Sequence, residues 1–110
     1  MGRISVCELA DWQAAQRRFT LLDVRREVAR TNAGAELPGA TWRRPEDLFT
    51  WKDDIARDRP VVVVCAHGHE ISQGVAGTLR AMGLDARYLI DGFAGWVEAG
   101  QPTVALASSS

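Results

Sequence analysis

Val61-Val62-Val63-Val64-Cys65-Ala66-His67-Gly68-His69-Glu70-Ile71-Ser72-Gln73-Gly74-Val75-Ala76 decides how this chain is read. Four consecutive valines fit a strand buried on both faces, because β-branched side chains pack well on a pleated surface. Cys65 falls where that strand ends. Gly68 interrupts the run, and a helical pattern begins behind it. In open parallel α/β sheets, ligands bind outside the carboxyl ends of the strands. A helix N-terminus carries unpaired N–H groups that favour an anion, and a thiolate placed against one is a ready nucleophile. The stretch therefore predicts a reactive cysteine in an anion-binding loop.

The rest of the chain bounds what that loop can belong to. With 110 residues there is room for one domain and one core. The net charge of −1 predicts neither nucleic-acid nor membrane binding. No apolar run is long enough for a membrane-spanning helix. The first eight residues, with Arg3 and Glu8 among them, lack the apolar centre of a signal peptide. The two cysteines, Cys7 and Cys65, form no CxxC pair. A cytoplasmic chain with free thiols is the expectation.

Outward from the valine run, strand and helix signals alternate. Residues 4–6 read as a short strand. Residues 8–18 read as an amphipathic helix carried by Leu9, Trp12, Ala15 and Gln16. Residues 19–24 read as a second strand, and 25–30 as a short charged helix. Residues 31–40, with Asn32, Gly34, Pro38 and Gly39, read as loop. A short strand is expected at 40–42 and a helix over 45–56, opened by Pro45. The spacing of Val75, Ala76, Leu79 and Met82 predicts a helix over 71–82, stopped by Gly83. A strand at 86–90 and a helix at 93–99 follow. Residues 103–110 have little to bury and read as a frayed tail, leaving 1–102 as the domain. Such alternation predicts an α/β fold with a mainly parallel central sheet and helices on both faces.

At this point four segments, in order, resemble the rhodanese family. Leu21-Leu22-Asp23-Val24-Arg25 resembles its LLDVR strand end, and Leu37-Pro38-Gly39-Ala40 its IPGA turn. The Val61–Val64 run with Cys65-Ala66-His67-Gly68 resembles its strand and CxxG active loop. Asp91-Gly92-Phe93-Ala94-Gly95-Trp96 resembles its closing GGxxGW helix. The resemblance covers residues 4–101. It implies a rhodanese-like fold and sulfurtransferase chemistry. Cys65 would accept a sulfane sulfur from a donor such as thiosulfate, become a persulfide, and pass the sulfur to cyanide or a thiol. It implies no metal or organic cofactor. The partners expected are a small sulfur donor and a thiol acceptor, with the oligomeric state left open.

On this reading Cys65 is the nucleophile. Backbone N–H groups from Ala66 through His67, Gly68, His69 and Glu70 to Ile71 form a bowl for the persulfide charge. The plain alternative is that Cys65 is a small buried hydrophobe. A glycine-bearing loop and a helix start behind it favour the catalytic reading. Asp23 and Arg25 end the neighbouring strand, and parallel pairing would bring them near the loop. Asp23 would anchor loop N–H groups or pair with a basic side chain; Arg25 would face the mouth and offset Glu70. A surface ion pair of little consequence is the alternative. One of Arg43 and Arg44 is a further candidate for the mouth. The four tryptophans read as core or edge packing, with Trp42 the candidate for a pocket wall. Cys7 reads as structural.

The loop also departs from the family. Many active rhodaneses carry a basic residue five positions after the cysteine, where this chain has Glu70. A carboxylate at the rim disfavours an anionic donor, although an acid in a first helical turn also serves the helix dipole. His67 and His69 would donate hydrogen bonds to the persulfide or the donor, or restore part of the positive charge below neutral pH, or stand exposed without a role. Cys65-x-His67-x-His69 has metal-ligand residue types, yet zinc sites draw ligands from separated segments, so no metal is expected. Two other functions compete. A cysteine phosphatase would need an arginine fork for phosphate, and no arginine follows Cys65 before Arg80. A non-catalytic binding or regulatory module would have no need of Cys65 and Gly68 together.

Overall fold

The computed structural model describes residues 2–106. Its centre is a five-stranded sheet in the order β1-β6-β5-β2-β4, with every pairing parallel. The strands are β1 (Arg3–Ile4), β2 (Thr20–Asp23), β4 (Thr41–Trp42), β5 (Val61–Val64) and β6 (Ala86–Leu89). The valine run is therefore the middle strand. Each of its four side chains is at least 99% buried, which is why no polar alternation shows in the sequence.

Alternation along β5 sorts the core into two layers. Val61 and Val63 face α3 (Leu48–Trp51) and α4 (Glu70–Ala81), meeting Trp51, Val75, Ala76 and Leu79. Val62 and Val64 face the other way, against Leu9 of α1 (Val6–Ala14) and Trp96 of α5 (Gly92–Glu98). Each buried valine or leucine contributes about 1.5–3 kcal/mol relative to exposure. Helices cover both faces, as the alternating pattern predicts.

Element ends move for identifiable reasons. The strand expected at 4–6 stops at Ile4, because Ser5 caps α1: its hydroxyl accepts from the Glu8 N–H, and the Glu8 carboxylate accepts from the Ser5 N–H. Helix α1 ends near Ala14 and not at residue 18, with Gln16 in a left-handed conformation (φ 54°). The short helix expected at 25–30 lies instead at α2 (Glu27–Ala33), so Thr31, Asn32 and Ala33 are helical and not loop. Gly34 ends it at φ 68°. The helix expected over 45–56 is a chain of tight turns, with 3₁₀ turns at Pro45–Asp47 and Lys52–Asp54 on either side of α3. The Trp51 indole N–H bonds to the Arg44 carbonyl across this segment and draws it inward.

The segment from residue 103 is not frayed where it is described. Strand β7 (Val104–Ala105) pairs antiparallel with β3 (Ala35–Glu36), and the Leu106 N–H bonds to the Gly34 carbonyl. Backbone pairing holds it rather than burial of its short apolar run, for Val104 is 44% exposed. The rest of the predicted tail, residues 107–110, lies outside the described residues. No described helix is long and apolar enough to cross a membrane.

Candidate active site

Parallel pairing sets Asp23 beside Val64, so β2 and β5 release their chains at the same level of the sheet. Cys65 follows β5 directly and is buried on the α4 face. Its sulfur has two polar neighbours. The Gly68 N–H donates to Sγ at 3.2 Å, and the Ser72 Oγ lies 3.0 Å from it. Ser72 is fully buried and also reaches the His69 carbonyl at 3.4 Å.

Local conformation makes the turn short enough for these contacts. Gly68 sits at φ 73°, and a Cβ there would lie 2.6 Å from the Asp91 nitrogen and 2.8 Å from the Leu89 carbonyl oxygen. No other residue type fits that approach without moving β6 or α5. Gln73 holds the loop from behind through an Nε2 bond to the Gly68 carbonyl at 3.0 Å. The Gln73 N–H closes the first turn of α4 on the His69 carbonyl. The N–H groups of Glu70, Ile71 and Ser72 precede any intrahelical acceptor.

A cavity of about 290 Å³ opens beside Cys65. Ala66, His67 and His69 form its loop side, and Glu70 and Ile71 its α4 side; Arg25, Arg26 and Ala29 also line it. The six loop positions expected around Cys65 thus gather here, with Gly68 bonded to the sulfur and the other five at the wall. Glu70 stands in the wall at the first position of α4.

Asp23 and Arg25 form a buried ion pair, 2% and 1% exposed, far from the surface pair that was the alternative. Arg25 Nε donates to both Asp23 oxygens at 3.0 Å, and Nη2 donates to Asp23 Oδ2 at 2.7 Å and to the Ala35 carbonyl at 2.8 Å. The guanidinium lies over the Phe93 ring at 4.1 Å. Asp23 therefore takes the basic partner and anchors no loop N–H group. Arg25 reaches the cavity wall but makes no ion pair with Glu70 among the described residues.

Other expectations for the mouth shift by a few residues. Neither Arg43 nor Arg44 lines the cavity; Arg44 pairs with Glu27 at 3.3 Å and flanks Trp42. Arg26 takes the place expected for them, because α2 begins later than the charge pattern suggested. Trp42 is not a cavity wall either. The Arg30 and Arg44 guanidiniums both lie over its ring, at 4.8 and 5.1 Å, and its indole N–H donates to the Arg25 carbonyl. Ser72 is the polar contact that sequence reasoning missed. It shares the stripe of Val75, Ala76 and Leu79 at helical spacing, and a hydroxyl on a buried stripe calls for a partner. No three His, Cys, Asp or Glu side chains among the described residues converge as a metal-binding group.

This arrangement defines a class: an α/β domain with a buried cysteine at the carboxyl end of its central parallel strand. The model of the rhodanese-like domain matches residues 5–99, and the chain belongs to that family. It is 40% identical over 63 residues to the thiosulfate sulfurtransferase GlpE of Tolumonas auensis. That match spans 56% of this chain and 58% of the relative's length. Among solved structures, a rhodanese-related protein from Thermoplasma volcanium superposes with a TM-score of 0.82 at 25% identity, covering 94% of this chain and 98% of that one. A rhodanese-like domain protein from Staphylococcus aureus gives 0.82 at 23% identity, covering 98% and 100%.

Proposed function

We propose that this chain is a sulfurtransferase that carries a sulfane sulfur as a persulfide on Cys65. The observation that carries the reading is the placement of the Cys65 sulfur: buried beside a cavity, accepting the Gly68 N–H and touching the Ser72 hydroxyl. The partial relative named as a thiosulfate sulfurtransferase supports it.

The chemistry balances in two steps. The Cys65 thiolate attacks the outer sulfur of thiosulfate, a sulfur–sulfur bond forms on Sγ, and the donor's own sulfur–sulfur bond breaks. Sulfite leaves with the electron pair of that bond. An acceptor thiolate, or cyanide, then attacks the terminal sulfur of the persulfide and restores the Cys65 thiolate. The acceptor departs as a persulfide, or as thiocyanate. Between the steps the terminal sulfur is anionic, and unpaired N–H groups of the loop and of the first turn of α4 are the donors suited to it. Ser72 contributes a hydroxyl whose proton turns toward Sγ once the thiol is ionised.

Thiosulfate-treated protein tests the proposal. Mass spectrometry should find one extra sulfur atom on Cys65 and none on Cys7, which is exposed in α1. Cys65→Ser should abolish transfer to cyanide. Transfer that survives this substitution, or an adduct on Cys7 alone, would place the nucleophile elsewhere and sink the reading.

A further inference from the structure

We infer that Gly92, at the start of α5, is a positioning residue that sets the direction of the amides beside Cys65. The inference rests on the persulfide reading above. Helix α5 spends its first amides on the loop: the Phe93 N–H donates to the Cys65 carbonyl at 2.8 Å, and the Ala94 N–H donates to the Ala66 carbonyl at 2.9 Å. Each of those carbonyls shares a peptide with the next residue's N–H. In a trans peptide the C=O and N–H point in opposite directions, and there is no cis bond among the described residues. Tying the Cys65 carbonyl to α5 therefore turns the Ala66 N–H away from α5, and tying the Ala66 carbonyl does the same to the His67 N–H. Neither N–H has an acceptor among the described residues. Ala66 and His67 both line the cavity, so the edge left free is the one that meets an anion there.

Gly92 makes the contact possible. It lies at φ 58°, and a Cβ on it would collide with the Cys65 carbonyl oxygen and lie 2.5 Å from the Gly68 nitrogen and 2.9 Å from the His67 nitrogen. These are backbone atoms, which cannot step aside as the end of a long side chain can. The preceding Asp91 is also left-handed, at φ 63°, so the chain enters α5 through two successive residues in that conformation. Asp tolerates it better than most side chains. The clamp is built from a segment that starts 27 residues after the cysteine, and is separate from α4, whose N-terminus holds the loop from the other side.

The test uses the full chain, labelled with nitrogen-15. On persulfidation by thiosulfate, verified by mass, the Ala66 and His67 amide resonances should move, because their N–H groups gain an anionic neighbour. Persulfidation without movement of either resonance overturns the inference and leaves the sulfurtransferase reading intact. Absence of the Cys65 adduct removes that reading, and the inference with it. Gly92→Ala, compared at a temperature where it is folded by circular dichroism, should lower kcat for sulfur transfer at least tenfold. It should also lose the movement of both resonances in whatever fraction carries the adduct. A folded Gly92→Ala protein with wild-type kcat and wild-type resonance shifts would show that Gly92 only packs.

Discussion

Ser72 Oγ lies 3.0 Å from Cys65 Sγ, and Ser72 is fully buried, so the two side chains are each other's main polar company beneath the loop. A hydroxyl beside a thiolate is a charge-assisted donor, a kind of bond that contributes about 1.5–3 kcal/mol. Ser72→Ala removes it while keeping the backbone of α4. The rate of persulfide formation from thiosulfate should fall about tenfold to a hundredfold. Stopped-flow measurement of the first half-reaction checks this, and an unchanged rate would show that the hydroxyl serves only the His69 carbonyl.

The Asp23–Arg25 pair makes a different prediction, on stability. Both groups are almost wholly buried, and Asp23 receives three bonds from the guanidinium of Arg25 as well as its N–H. Removing one partner of a buried pair strands the other charge, at a cost of about 3–5 kcal/mol. Asp23→Ala should lower the free energy of unfolding in urea by that amount. A loss under about 1 kcal/mol, the range of exposed pairs, would mean that solvent reaches Arg25.

Glu70 bears on the donor. It stands in the cavity wall at the first position of α4. A unit charge about 4 Å from another contributes about 1 kcal/mol in water, so reversing the sign here should help a dianion by several-fold. Glu70→Arg should lower KM for thiosulfate by about fivefold, with a smaller effect at high ionic strength. Steady-state kinetics at two salt concentrations reads both. A KM unmoved at low salt would show that the donor approaches from the Arg26 side.

The valine strand shows what could be read from sequence. A strand covered on both faces needs apolar side chains in both directions, so β5 is written as an unbroken run, and Cys65 falls at its carboxyl end by simple counting. The α4 stripe is equally legible, because Val75, Ala76 and Leu79 recur at the helical period. Where signals were local but overlapping, boundaries slipped. Ser5 and Glu8 carried a capping box, yet Ile4 and Val6 read as one strand across it.

What the sequence alone determined, then, is the alternating architecture, the central strand and the position of the thiol, because periodicity and turn residues are properties of neighbours in the chain. The company that thiol keeps was decided by tertiary structure. Ser72 reaches Cys65 only once α4 packs on its face of the sheet. The Cys65 carbonyl meets α5 only because β6 lies beside β5, and Val104 pairs with Glu36 across nearly seventy residues. Such contacts depend on strand order and on which groups two packed surfaces bring within hydrogen-bonding distance, and neither quantity is written in the local pattern of residues.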